Sequence, residues 1–410
     1  MSLPDVFFAE LDGRKVEAGI IVGFEAAARL AGQTDFTLYD GDPRRLFLSA
    51  LAAMIIQQNV MIDLAGKGNL LRYAGNDTIS DLGWIYGERG DRLEPSAAVT
   101  TVEFTLSSPL PSVVTIPANT RVVAGSLTFA TIIPLNIPAG ELTGAVMAQR
   151  DTVGADGNGM LPGQVFQIID RPPFVESAVN TTESSGGADL EDLEAYRARL
   201  RLLPNSFSVA GPFRAYEFWA KTANAGIVDV AAYMPELDMD AFADFLMPWG
   251  IVDAEGFYQD LADYYRESGT GPGNVNVVPL MAGGQIPTQD ILDQVDSNLD
   301  DKVPDTDFRH VIAPVAVGYD VEMTYWIDAS QSADAVAIQV AVDSAVAQYV
   351  EWQWSSLGQA IIPDMLTMLV KQAGARRLEV ITPVYTELKR NEVAQCSNVT
   401  VLYGGLERNY

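Results

Sequence analysis

The chain is expected to fold as an α+β protein of several domains, because three patterns succeed one another along it. A long apolar run with helical spacing comes first, a block of short β-rich runs follows, and alternating helix and strand patterns fill the remainder. At 410 residues it exceeds what one hydrophobic core organises, so about three or four domains are expected. With 48% hydrophobic and 20% charged residues, it has ample material for packed cores. The divisions fall at a helical segment over 1–94, a small β domain over 95–180, an α/β domain over 181–310 and an α+β domain over 311–410.

The helical segment centres on Arg44 to about Gly66, where ten of the eleven residues from Leu46 to Ile56 are apolar. Phe47, Leu51, Met54 and Met61 form one row at helical spacing, and Leu48, Ile55 and Ile62 form a second beside it. A helix apolar around most of its circumference needs cover on several sides. That cover is either the chain's own core or a bundle shared between subunits. Gln57, Gln58, Asn59 and Asp63 interrupt the run before about twenty residues, which argues against a membrane span.

From about Ala97 to Ile169 the chain turns to short runs such as Thr100–Leu106, Val113–Ile116 and Val165–Ile169, separated by turn residues. Gly154, Gly157 and Gly159 share one loop. It lacks the lysine and hydroxyl residue of a phosphate cradle and is expected to be a turn with positive φ angles. Asp189 to Leu203 is expected to be a helix with Leu190, Leu193, Tyr196, Leu200 and Leu203 forming one face. Its early acids Asp189, Glu191, Asp192 and Glu194 would form a solvated first turn, with Arg197, Arg199 and Arg201 toward the other end of the helix dipole.

A helix over Phe213–Ala223 and a strand over Ile227–Tyr233 come next. Gly269-Thr-Gly271-Pro-Gly273 is a poor dinucleotide fingerprint, since a strand and not a helix follows it, and is expected to be a hinge before strand Asn274–Leu280. Thr288 should cap a helix to Leu299. The last unit begins with strand Gly318–Asp328, whose Tyr319, Val321, Met323, Tyr325 and Ile327 alternate with mostly polar neighbours. Helix Ala333–Trp354, a shorter helix from Pro363, and strands Arg377–Thr382 and Asn398–Tyr403 complete it. Trp352 and Trp354 are expected to be structural or interfacial anchors.

The 54 acidic residues against 26 basic ones give a formal charge of −28, which repels polyphosphate and argues against a nucleic-acid partner. Such acidity serves solubility or faces a basic partner. A single cysteine, Cys396, closes no intramolecular disulfide, and a single histidine, His310, builds no multi-histidine metal site. Reducing, cytoplasmic synthesis fits. Asp5, Glu10 and Asp12 near the amino terminus do not suit a secretory signal. No catalytic motif is visible, neither a nucleophile beside a base nor a marked pair of carboxylates, so no enzyme activity, cofactor or metal is expected.

The last hundred residues carry Tyr349-Val-Glu-Trp352-Gln353, Leu357-Gly358, Ile362-Pro363, Ala373-Gly374-Ala375-Arg376-Arg377 and Leu402-Tyr403-Gly404-Gly405-Leu406-Glu407, in that order. Upstream stand Val275–Leu280, Gly283-Gly284, Pro287-Thr288, Asp300-Asp301 and Pro304-Asp-Thr306-Asp307. Further back come Gly187-Ala-Asp189, Ala210-Gly211-Pro212, Gly157-Asn158 and Ile116-Pro117-Ala118-Asn119, with Asn119 where glycine is usual. This ordered series resembles the baseplate J-like wedge proteins of contractile phage tails and related injection systems, over roughly residues 95–410.

Against that family, about Leu237 to Thr270 looks like an insertion, with acids such as Asp238, Asp253 and Glu255 among Phe242, Trp249, Phe257, Tyr258 and Tyr264. It is expected to be a small helical excursion and an interaction surface. The resemblance implies a structural wedge component of a sixfold baseplate, at two copies per wedge with a smaller wedge partner and contacts to sheath-initiator or hub proteins. Amino-terminal helices carrying Phe47, Leu48, Leu51, Met54, Ile55, Met61 and Ile62 would join the bundle, and carboxy-terminal domains would close a ring that opens to trigger sheath contraction. The location implied is the tail baseplate of a virion or related particle, after assembly in host cytoplasm. A tail-associated cell-wall hydrolase and a receptor-binding module are the alternatives.

Overall fold

The architecture is that of a computed structural model and is described for residues 4–208, 211–246, 254–304 and 306–408, without the side chains of 243, 254–259 and 262. Ala210, Trp249, Asp253 and Asp305, and the side chains of Glu255, Phe257 and Tyr258, therefore lie outside the described residues. The chain divides into two compact units, Met1–Arg92 and Leu93–Tyr410.

In the first unit, helices α1 (Gly13–Leu30), α2 (Pro43–Gly68) and α3 (Asn76–Trp84) precede a 3-10 turn at Gly87–Gly90. Helix α2 starts where Asp42 accepts from the Arg44 amide at 2.9 Å, with Pro43 supplying a pre-set φ in the first turn. The Arg44 guanidinium bonded to Asp42, together with the Arg44 amide, holds the Asp42 carboxyl at about 2. Helices α1 and α2 are tied by Ser49 Oγ donating to Glu17 at 2.6 Å. Asn59 Nδ2 also donates to the Glu10 carbonyl at 2.8 Å, just before α1.

Asp63, on the polar interruption of α2, turns inward. It accepts from the Phe8 amide at 2.9 Å and pairs with Lys67 at 2.7 Å. The Lys67 ammonium first, and then the Phe8 amide, hold its carboxyl below the usual carboxylate range. Phe8 lies over Gly66, where a Cβ would come within 2.4 Å of the ring, so only glycine lets the segment close. By length and composition alone α2 is apolar enough to cross a membrane.

The second unit opens with a β domain. Strands β1 (Val99–Leu106), β2 (Val114–Ile116), β3 (Arg121–Ala124), β4 (Leu127–Thr131), β5 (Leu135–Ile137), β6 (Thr143–Arg150), β7 (Gln167–Ile168) and β8 (Val175–Asn180) form an antiparallel six-stranded sheet in the order β7-β3-β4-β6-β1-β8 and a small β2-β5 pair. Every second residue of β1 is buried, and Val102, Phe104, Ile116, Phe129 and Val165 make the core. Asn119 takes φ 62°, a left-handed value that asparagine tolerates better than most side chains. Gly154 and Gly159 have the expected positive φ, but Gly157 does not. Its reason is space, because a Cβ there would lie 2.6 Å from Arg150 Cδ and 2.9 Å from Ala98 Cβ.

Next, helices α4 (Leu193–Leu202) and α5 (Phe213–Lys221), strand β9 (Ile227–Tyr233), helices α6 (Met239–Leu246) and α7 (Ala254–Ser268), strand β10 (Asn274–Met281), helix α8 (Gln289–Leu299) and strand β11 (Phe308–Val311) form a domain around the sheet β11-β10-β9. Strand β10 runs parallel to β11 and antiparallel to β9. Helix α4 begins later than its pattern suggests, because Asp192 caps it by accepting from Glu194 and Ala195 amides at 2.8 and 3.3 Å. Leu190 is consequently exposed and outside the helix. Thr288 stands at the cap position of α8, yet its side chain makes no capping bond.

The expected solvated acidic turn is also corrected. Glu191 is only 3% exposed, accepts from Arg199 Nε and Nη2 at 2.8 Å each, and takes the Leu93 amide at 3.0 Å. A buried carboxylate is tolerable only when paired and fully bonded, which this geometry provides.

The last domain contains β12 (Val315–Asp328), α9 (Ala335–Trp354), α10 (Pro363–Gln372), β13 (Arg377–Thr382) and β14 (Glu392–Glu407) in a sheet of order β13-β12-β14. Strand β14 runs parallel to β12, which requires the long helical crossover between them, and β13 runs antiparallel. Tyr319, Val321, Met323, Tyr325 and Ile327 of β12 bury their side chains against Ile338, Val342, Tyr349, Leu366 and Val370. Strand β14 extends well beyond the expected Asn398–Tyr403 at both ends.

Candidate assembly surfaces

The row predicted on α2 is laid out as helical spacing demands, and its exposure is uneven. Within the first unit Phe47 is 70% exposed, Met54 63%, Met61 66% and Ile62 53%, whereas Leu51 is 37% and Leu48 only 3%. Ile55 is half-buried. Leu48 therefore packs inside the unit while its neighbours form an open apolar stripe. Only Leu48, Ala52 and Asp63 of this helix are buried, and none of α1 is. Leu46, Leu64, Phe7 and Val22, which the spacing argument did not single out, are exposed as well. A row of large exposed apolar side chains along one helix marks a contact region more often than a finished exterior.

The tryptophans sit elsewhere, and the structure uses them internally. Trp354 closes on Gly284, where a Cβ would fall 2.7 Å from Trp354 Cβ, so the glycine at φ 69° admits the side chain and links the α9 domain to the preceding one. Gln395 Nε2 donates to the Gly284 carbonyl at 3.0 Å and the Leu357 amide donates to Asp229 at 3.1 Å across the same junction. Trp352 is half-buried against Tyr349, with ring centroids 6.2 Å apart. The α2 row and the tryptophans thus lie in different compact units.

Several titratable groups sit in local hydrogen-bond networks or are partly buried. His310 Nε2 lies 2.7 Å from Asn274 Oδ1, and Asn274 Nδ2 donates to the Tyr265 and Thr270 carbonyls. This network fixes the turn ahead of β10. Burial, and then Asp320, push the Cys396 thiol up, so it stays protonated and a weak nucleophile. Burial raises Glu217, with the Asp229 carboxylate adding to it. In the excursion, Phe245 stacks on Tyr264 at 4.6 Å and Phe242 on Tyr265 at 6.0 Å, so these aromatics close on one another. Among the described residues no three His, Cys, Asp or Glu side chains are grouped to hold a metal ion.

Comparison with known proteins adds to this layout. Residues 101–187 match the model of the Baseplate J-like protein barrel domain, and residues 208–313 that of the Baseplate J-like central domain. No curated protein matches the chain. Among solved structures, a chain of the cryo-EM structure of the anti-feeding prophage (AFP) baseplate, 6-fold symmetrised, aligns over 92% of this chain and 90% of its own, at 13% identity and a TM-score of 0.34. That likeness is too loose to carry a structural inference.

Proposed function

The chain, with a barrel domain followed by a central domain of the same family, is a Baseplate J-like protein, and from that premise we propose that it is a non-enzymatic wedge component of a contractile-tail baseplate. The observation that carries the wedge role is the open apolar stripe of Phe47, Met54, Met61 and Ile62 on a helix with three buried residues. A helix so sparsely covered within its own unit is completed by packing against other helices.

In this reading the amino-terminal helices form a bundle with a second copy and a smaller wedge protein. The carboxy-terminal domains, residues 311–410, join neighbouring wedges in a sixfold ring that also meets sheath-initiator or hub proteins. Ring opening on host contact permits sheath contraction, which requires interfaces with two packings of comparable energy. The chain works in the baseplate of the tail after assembly in host cytoplasm, and the acidic excursion over 237–270 adds a further contact surface.

The test is particle assembly. Leu51→Asp or Ile55→Asp should abolish association with the wedge partner, because an ionised side chain cannot enter an apolar seam unpaired. The carboxy-terminal domain should remain folded by circular dichroism. Tails assembled normally from either variant would sink the helix assignment.

A further inference from the structure

Among the described residues three that are not glycine take a left-handed φ: Asn119 at 62°, Asp301 at 60° and Phe174 at 67°. Asparagine and aspartate tolerate that conformation, whereas a bulky side chain there is strained. A tight turn imposes the strain. Its four residues are Pro172, Pro173, Phe174 and Val175, closed by the Val175 amide donating to the Pro172 carbonyl at 3.3 Å. Proline suits the second position of such a turn and glycine or asparagine the third, where φ must be positive. Here the third residue is phenylalanine, and it is 59% exposed.

The turn is pinned on both sides, so the strain does not relax. Ser107 donates to the Phe174 carbonyl from its amide at 3.0 Å and from Oγ at 3.4 Å. Immediately after the turn Glu176 is an extra residue against β1, because Thr105 faces Ser177 and Leu106 faces Val175. A bulge at that place re-aims the side chains beside it. The Leu106 amide donates to the Leu142 carbonyl at 2.8 Å, which puts Leu142, 41% exposed, on the same rim of the sheet. A ring that costs folding free energy and gains little cover within the chain is held for a contact outside it.

We infer that Phe174, with Leu142 beside it, anchors a protein contact on the barrel domain, and that the partner offers an apolar socket rimmed by lysine or arginine. Charge selects that occupant. Glu141 precedes Leu142 and Glu176 follows Phe174 by two residues, both exposed, and among the described residues neither forms an ion pair. Asp170, by contrast, is paired with Arg121 at 2.8 Å, and Arg171 ahead of the prolines balances only one of the two glutamates. A second copy would set the same glutamates, and a net charge of −28, against them, so a basic partner is favoured and self-contact is opposed. The inference adds a contact to the baseplate role proposed above and rests on that role only for where the partner is found.

The test places the photo-crosslinker p-benzoylphenylalanine at position 174 of the full chain, irradiates intact producing cells and identifies the adduct by mass spectrometry. The expected adduct joins another protein at a peptide with lysine or arginine beside apolar residues, and Glu141→Lys combined with Glu176→Lys should cut its yield by about tenfold. Phe174→Asn should lower incorporation of the chain into tails by about tenfold or more, while its melting transition stays at or above that of wild type because asparagine relieves the turn. Phe174→Tyr keeps the ring and should assemble like wild type. No crosslink, crosslinks only to a second copy, or a yield untouched by the charge reversal would overturn the inference. So would a Phe174→Asn chain that melts well below wild type or assembles as well as it. Absence of the wild-type chain from purified tails would count against the baseplate reading alone, since the crosslink made in cells still decides the contact.

Discussion

The amino-terminal helices and the carboxy-terminal α+β domain are both rich in apolar residues, but they dispose of them in opposite ways. The face of β12 from Tyr319 to Ile327 lies at 9% exposure or less, closed over by α9 and α10. Helix α2, more uniformly apolar in sequence, buries Leu48, Ala52 and Asp63 alone. A sheet with helices on one face satisfies itself within one chain, whereas a long helix against one shorter neighbour leaves much of its circumference open. Apolar content therefore tells what must be covered, and the surrounding elements decide whether the chain itself covers it.

The sharpest way to break this comparison is at the buried ion pair of the second unit. Glu191→Ala leaves Arg199 buried without its carboxylate and should cost about 3–5 kcal/mol of unfolding free energy in urea titration. A loss below about 1 kcal/mol would mean that Arg199 escapes to water. Next, Met323→Ala in the closed core should cost about 2–5 kcal/mol by the same measurement. In the isolated chain Phe47→Ala, on the open stripe, should change stability by less than about 0.5 kcal/mol. If Phe47→Ala proved as costly as Met323→Ala, the stripe would be a hidden core and the contrast would fail.

A subtler difference concerns acid. The carboxyl of Asp42 is held at about 2 by Arg44, below its unfolded value of about 4. Its stabilising contribution is present above the unfolded value and is lost as pH falls through the folded one. Helicity of the first unit should therefore decline between about pH 4 and pH 2, and Asp42→Asn should lessen that decline while keeping a cap. Helical circular dichroism of a fragment spanning the unit is the readout, and identical acid profiles for both forms would remove Asp42 as the cause.

Much of the secondary structure was legible locally. The strand Ile227–Tyr233 and the strand Arg377–Thr382 follow from alternation and flanking turn residues, and the long helix follows from its spacing. What misled was the acidic run at 189–194. As isolated letters it suits a solvated helix start, but Asp192 takes the capping role and Glu191 goes inside to meet Arg199 eight residues on. Nothing in spacing distinguishes a carboxylate facing water from one facing a buried guanidinium. The extension of β14 was missed likewise, since the residues added at its ends, from buried Val393 and Ala394 to exposed Leu406, are held in strand geometry by β12 and not by their own pattern.

The sequence by itself determined most of the helical and extended stretches, because periodicity and turn chemistry act over a few neighbouring residues, and its ordered motifs carry the family resemblance of the later domains. Only the tertiary structure decided that Leu48 is covered while Phe47 is not, that Trp354 closes on Gly284, and that β12 lies between β13 and β14 in the last sheet. Those outcomes depend on what packs from distant parts of the chain, and burial, unlike helical or strand spacing, belongs to no residue alone.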